Sequence, residues 1–415
     1  MNFNKSFFVV SMGNVMEWYD FSLYAYFATM IAHQFFPSDN HMLSLILTFA
    51  IFAIGFLSRP LGSLFFGYIG DKYGTVTALK LSLYLIVLPT VLMACLPTYH
   101  QVGLLAPILL LCLRLLQGFS VGGQYTGTII YTAENAATSE RAFVTSFSLV
   151  SAVIGFLMGS LIAFILLHLF PVRWHLDSVW RVAYLLSLFL FAYVYINRSY
   201  LVESESQSET SESISPLREI FSNHCPLMLK AILFMNVSNV NFYILLTFFV
   251  TFMHSFAHLS LTTALLINTF TLILACVAIP CFAKLSDNIG RKPVMISACV
   301  GLILLSFPLL KLTLIGNPWI TFFALSVLVI CLSAYCGPAS SLYTELFPKA
   351  IRFSGLSFSY NVSASLFGGT APVVCLSLIH YFQSPLVIGF YIIFYALIGV
   401  GAFLFTEETY KIKIN

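Results

Sequence analysis

The chain has 415 residues, 59% hydrophobic and only 8% charged. A soluble domain carries about 25% charged residues, so a water-covered surface of this size is excluded. A net charge of +3 with no basic stripe is too small to imply a nucleic-acid partner, and none is expected. The expected class is an all-α membrane protein, because a bilayer core takes about 20 apolar residues per helix and most of the chain is built of such runs.

In chain order the runs predict twelve spans: 7–36, 44–68, 77–97, 103–131, 143–168, 180–197, 226–253, 261–283, 293–313, 319–340, 354–380 and 386–405. Turn and charge signals separate them, among them Pro37-Ser38-Asp39-Asn40, Gly70-Asp71-Lys72 and Gly290-Arg291-Lys292-Pro293. The first run is too long for a removable signal segment. Residues 199–222 are rich in Ser and Glu and read as a solvated linker. They divide the chain into a six-helix bundle at 1–198 and another at 223–415. Lys and Arg gather on the cytoplasmic side of membranes. With the N-terminus inside, most of the nineteen basic residues face the cytoplasm, Arg173, Arg181 and Lys311 fall outside, and Arg59 and Arg114 lie within spans. Both termini are therefore expected in the cytoplasm. The nine cysteines fall almost entirely in apolar runs, and neither they nor the histidines show metal-ligand spacing. No metal and no cofactor are expected.

The two halves echo each other. GYIGDKYG at 67–74 follows the second span and AKLSDNIG at 283–290 follows the eighth, which places Asp71 and Asp287, and Gly74 and Gly290, 216 residues apart. Glu134 precedes Arg141 as Glu345 precedes Arg352, at an offset of 211. Duplicated six-span halves build transporters whose solute site lies between the halves near mid-membrane. An aspartate at a helix end can cap neighbouring helix N-termini and answer their dipoles. Asp71, Gly74, Glu134, Arg141, Asp287, Gly290, Arg291, Glu345 and Arg352 are therefore expected to gate one face.

At these residues the chain resembles the major facilitator superfamily, and within it the metabolite:proton symporter branch, with wording closest to the proline/betaine permeases. The matching segments are NVMEWYDFSLY at 14–24, FLSRPLGSLFFGYIGDKYG at 56–74, RLLQGFSVGGQYTG at 114–127, the Trp180-Arg181 pair, ELFPKAIRFSGLS at 345–357 and YNVSASLFGGTAP at 360–372. The resemblance implies a bacterial inner-membrane importer of a small solute, driven by protons through alternating access. It departs from the branch at three places. Thr75 and Val76 follow Gly74 where basic residues are usual, Gln124 stands where the branch carries Glu, and no coiled-coil tail for osmotic gating is expected.

A charge in hydrocarbon costs at least about 2.5–3.5 kcal/mol on insertion scales, so each needs a partner or a wet cavity. In span one, Glu17, Asp20 and Tyr24 share a helical face. Two carboxylates at i and i+3 repel, which suits proton coupling; the alternative is permanent pairing with Arg59 or Arg114. In span four, Arg114, Gln117, Gln124 and Tyr131 share a broad face, and either arginine could hold a carboxylate in two-pronged fashion. Span seven offers Asn236, Asn239 and Tyr243, and span eleven Tyr360 and Asn361. These residues, with Tyr24 and Arg59, are the expected solute ligands. A proline/betaine-like zwitterion is the first expected solute and an organic acid the second. Efflux and a non-transporting sensor are the alternatives: span five lacks the Gly-Pro signature of exporters, and no soluble sensor domain is present. No serine-hydrolase or zincin pattern points to an enzyme. A monomer in lipid bilayer is expected.

Overall fold

The computed structural model describes residues 5–73, 75–134, 136–170, 179–197, 224–348 and 351–410, and the statements below concern those residues. They form helices without a strand. The first half contains α1 (Lys5–Tyr26), α2 (Ala28–Phe35), α3 (His41–Leu57), α4 (Arg59–Tyr73), α5 (Thr75–Ala94), the single turn α6 (Tyr99–Val102), α7 (Leu105–Val121), α8 (Gln124–Glu134), α9 (Arg141–Leu169) and α10 (Trp180–Ile196). The second contains α11 (Cys225–Phe242), α12 (Phe249–Ser255), α13 (Leu261–Ile289), α14 (Arg291–Thr313), α15 (Pro318–Leu346), α16 (Arg352–Ser363), α17 (Ala371–Phe382) and α18 (Val387–Leu404). Wide π-helical turns join α11 to α12 (Tyr243–Phe248) and α16 to α17 (Ala364–Gly368).

Among the described residues, nine helical stretches are long and apolar enough to cross a membrane, and Lys80–Ala94 and Trp180–Ile196 are shorter apolar helices. The first expected span is α1 followed by α2, broken at Phe27. Several other expected spans are interrupted too. The second divides at Ser58, two residues before Pro60, which has no backbone N–H to donate and belongs in a first turn. The fourth divides at Gly122-Gly123. Backbone at membrane depth leaves the helical ladder only where it is buried in protein or lines a cavity, and Phe27, Ser58, Gly122 and Gly123 at these breaks are buried.

Helix starts follow their caps. Asn40 Oδ1 accepts from the Met42 and Leu43 N–H groups, Ser260 Oγ from Thr263, and Asn317 Oδ1 from Trp319 and Ile320. Small residues permit close packing: a Cβ at Gly118 would run into the Gly55 carbonyl, so α7 meets α3 backbone to backbone. The halves meet along two seams. One packs α9 against α13, the other α4 against α16 and α3 against α17. By the repeat offset α9 corresponds to α16–α17 and α13 to α3–α4, so each seam is the counterpart of the other, as a two-fold relation between duplicated halves requires.

Candidate functional site

Between the halves lies a narrow cavity walled mainly by rings. Trp18 and Tyr125 come from the first half, and Phe242, Tyr243, Tyr343 and Tyr360 from the second, with Ser238, Asn239 and Ser340 as polar lining. Ring centroids stand 4.8 Å apart for Tyr125 and Tyr360, 5.8 Å for Trp18 and Tyr125, and 6.0 Å for Trp18 and Phe242. The free space is about 20 Å³, room for about one water molecule. A solute of several heavy atoms enters only when the walls separate, so this is an occluded arrangement.

Arg59 stands at the edge of that cavity. It opens α4, just before Pro60, and its guanidinium carbon lies 5.4 Å from the Trp18 ring and 5.0 Å from Phe56. Arg59 Nη2 donates to Glu17 Oε1 at 3.0 Å, and both side chains are buried. Glu17 Oε2, Arg59 Nε, Arg59 Nη1 and the Tyr243 hydroxyl are buried without a hydrogen-bond partner. Leaving such groups unpaired costs about 1–3 kcal/mol each, more for charges. One ion pair therefore carries spare donors and a spare acceptor next to the cavity.

A second cluster lies inside the first half. Gln117 Nε2 donates to Asp20 Oδ2 at 2.5 Å and to Thr90 Oγ1 at 3.3 Å, while Arg114 Nη1 donates to Gln117 Oε1 at 3.0 Å. The Arg114 guanidinium sits 3.8 Å from the Tyr24 ring centroid, a cation–π contact. The Tyr24 hydroxyl donates to the Thr48 carbonyl. Asp20 Oδ1, Arg114 Nε and Arg114 Nη2 have no partner. Asp20 borders a smaller cavity with Met16, Ile86, Thr90 and Ser187, against α5 and α10. The two carboxylates of span one thus do not form one site. Glu17 works with Arg59 toward the seam, and Asp20 with Gln117 and Arg114 away from it.

Of the expected solute ligands, Asn239, Tyr243 and Tyr360 line the central cavity. The others are placed elsewhere. Gln124 lies inside the first half, its Oε1 accepting from Ser82 at 2.8 Å. Tyr131 is half-buried toward the end of α8. Asn236 and Asn239 are joined through Ser363, whose Oγ donates to Asn236 Oδ1 and accepts from Asn239 Nδ2. Asn361 Nδ2 donates across the seam to the Gly122 carbonyl at 2.7 Å, the oxygen released by the break between α7 and α8. Its Nδ2 therefore clasps the halves, while its Oδ1 is buried without a hydrogen-bond partner. Trp18, Tyr125 and Tyr343 are lining residues missing from the sequence-based expectations; in an apolar run an aromatic ring is indistinguishable from core packing.

At the end of the bundle carrying Asp287 the halves are tied by charge. Asp287, on α13, accepts from the Ala142 and Phe143 N–H groups at 3.1 and 3.0 Å, the first turn of α9. An anion there answers both the open donors and the helix dipole. Arg291 bridges Asp287 at 2.7 Å and Glu345 at 3.2 Å, and Arg141 reaches Glu345 Oε1 at 3.2 Å. Gly290 has φ +107°, where a side chain would be strained, and a Cβ there would also press on Glu408. Glu408 accepts from the Arg291 and Lys292 N–H groups, and Thr409 Oγ1 donates to Glu345 Oε2 at 2.6 Å. Arg352, also of the second half, donates through Nε to the Phe347 carbonyl, and Glu134 of the first half is exposed. Gly74 and the side chain of Asp71 lie outside the described residues.

Comparisons with known proteins place this geometry in context. Residues 10–372 match the Major Facilitator Superfamily. A glycine betaine/proline/ectoine/pipecolic acid transporter of Dickeya dadantii is 32% identical over 98% of this chain and 83% of its own length. A proline/betaine transporter of Salmonella typhimurium is 30% identical over the same shares. A putative proline/betaine transporter of Staphylococcus aureus is 32% identical over 95% of this chain and 86% of its own. In fold, the chain superposes on the D-xylose-proton symporter with a TM-score of 0.75 at 18% identity, covering 97% of this chain and 96% of that one.

Proposed function

Because the chain belongs to the major facilitator superfamily and is a membrane transporter related to proline/betaine transporters, we propose that it imports a small zwitterion, proline- or betaine-like, by proton-coupled alternating access. Organic acids are the second solute class. The bacterial inner membrane, with both termini in the cytoplasm, is its proposed setting.

The observation that carries this reading is the Glu17–Arg59 pair at the edge of the ring-walled cavity, with Arg59 Nε and Nη1 still unpartnered. A solute carboxylate can take those two donors together. It then competes with Glu17 for one positive charge. A proton on Glu17 releases Arg59 to the solute, and loss of that proton on the other side returns Arg59 to Glu17 and expels the solute. Asp20, held through Gln117 beside Arg114, is a second carboxylate that the cycle also requires to take up and release a proton, without touching solute. The Asp287 and Glu345 network closes one end of the path, and opening that end breaks the bonds from α9.

The test is uptake of labelled glycine betaine, proline, 2-oxoglutarate and citrate into cells, with and without a protonophore. Accumulation of a zwitterion that collapses with the protonophore is the expected result. Accumulation untouched by the protonophore overturns the coupling, and uptake confined to organic acids overturns the first choice of solute.

A further inference from the structure

We propose that the ring-walled cavity reads the methylation state of the solute's ammonium group, admitting fully N-methylated ammonium zwitterions in preference to those that carry N–H donors. This rests on the transport reading above and names the subsite for the end of the solute opposite its carboxylate.

Among the described residues six rings surround the cavity, Trp18, Tyr125, Phe242, Tyr243, Tyr343 and Tyr360, and none of the lining residues is a carboxylate. The rings are already assembled as a box. Trp18 contacts Tyr125 edge-on with centroids 5.8 Å apart, Phe242 at 6.0 Å and Tyr243 at 6.3 Å, and Tyr125 closes on Tyr360 at 4.8 Å. Ring faces attract a cation through their quadrupole, most strongly when it is desolvated. A trimethylammonium group spreads its charge over methyl groups, has no donor to satisfy and is weakly hydrated.

An ammonium with N–H groups meets different terms. Each N–H taken from water needs an acceptor. The polar lining is neutral and partly engaged: Ser238 Oγ is hydrogen-bonded to the Tyr343 hydroxyl at 2.8 Å and the Asn239 amide donates to Ser363, while the Tyr243 hydroxyl is an open but uncharged acceptor. Glu17, the nearby carboxylate, holds Arg59 and is not among the lining residues. Every N–H added to the head group therefore lowers affinity, by about five- to tenfold where no acceptor is found. The geometry also separates the two ends of the solute. Arg59, against Trp18 and Phe56, takes the carboxylate, and the box takes the ammonium.

The series glycine, sarcosine, dimethylglycine and glycine betaine changes the head group one methyl at a time and leaves the carboxylate alone. Purified protein in liposomes, loaded with unlabelled glycine betaine and given labelled glycine betaine outside, reports exchange without any proton gradient. Competition by each member should strengthen at every methyl, by about 100-fold across the series. Tyr360→Leu and Trp18→Leu should each weaken betaine by about tenfold and flatten the series. Tyr360→Phe, which keeps the ring face, should retain the slope.

A flat or reversed series in the wild type overturns the box, even with gradient-driven uptake intact. So does equal flattening by Tyr360→Phe and Tyr360→Leu, which would assign the effect to the hydroxyl. A steep series in exchange, combined with uptake that ignores the proton gradient, would support the box while overturning the coupling.

Discussion

The two halves share a fold but divide the work. Among the described residues, the mid-span charges Glu17, Asp20, Arg59 and Arg114 all belong to the first half. The second half answers with neutral groups: Asn236, Asn239 and Ser363 in one hydrogen-bonded chain, and a buried Asn268 that donates to the Tyr26 hydroxyl. At the Asp287 end the weight is reversed. There the second half supplies Asp287, Arg291 and Glu345 and the first half offers a helix N-terminus and Arg141. Duplication set the frame, and divergence placed the ionisable chemistry in one repeat and the charged clasp in the other. In the proposed cycle, a proton moving in one half changes what the neutral wall of the other must accommodate.

The largest effect is expected at Arg59. Arg59→Ala strips Glu17 of its partner, and breaking a buried pair costs about 3–5 kcal/mol. Uptake should fall to background. In Arg59→Ala with Glu17→Gln, thermal unfolding should recover toward the wild type while uptake stays absent. Recovery of uptake in the double variant would show that the arginine only balances Glu17. Arg59→Lys should fall between, because a single ammonium cannot offer two parallel donors.

Next in size is the clasp. Asp287→Ala removes two acceptors from the first turn of α9 and a partner from Arg291. Charge-assisted bonds contribute about 1.5–3 kcal/mol each, so the open form at that end should gain at least about tenfold in population. Labelling of a cysteine introduced on the seam near that end would report it. Asp71→Ala should have the smaller effect, since Thr75 stands where the repeat places Arg291. Equal effects would mean that the two repeats close the path alike.

The smallest effect is expected from the neutral chain. Ser363→Ala cuts the link between Asn236 and Asn239, worth about 1 kcal/mol per bond. Apparent affinity in exchange should weaken by less than about tenfold, with coupling to the gradient unchanged. Lost coupling would give the second half a share in the proton chemistry.

Hydropathy and repeat offsets were enough to read the helical class and the position of Asp287 beside a helix start, because both are local: an apolar run has a length, and an acid at a helix end has few places to go. The arginine pairings were legible only as alternatives, since Glu17 and Asp20 lie three residues apart and helical spacing cannot say which neighbour each one meets. Asn361 shows what spacing leaves out. Its spacing suggests a solute ligand, and its Nδ2 also meets the Gly122 carbonyl, an acceptor that exists only because the fourth span breaks there. The ring box was the least legible part. Trp18, Tyr125 and Tyr343 come from three distant segments in a chain that is 16% aromatic, and only the folded seam brings them together.

The central claim is that first-half carboxylates couple solute movement to protons, and Asp20 tests it without touching the solute cavity. Asp20→Asn keeps the shape and the hydrogen bond from Gln117 within reach while removing the charge. Liposomes containing wild type or Asp20→Asn, given labelled glycine betaine and an acid-outside pH gradient, separate accumulation from exchange. The wild type should concentrate the solute above equilibrium, while the variant should exchange it at a comparable rate and never concentrate it. Accumulation by the variant equal to that of the wild type would contradict the account.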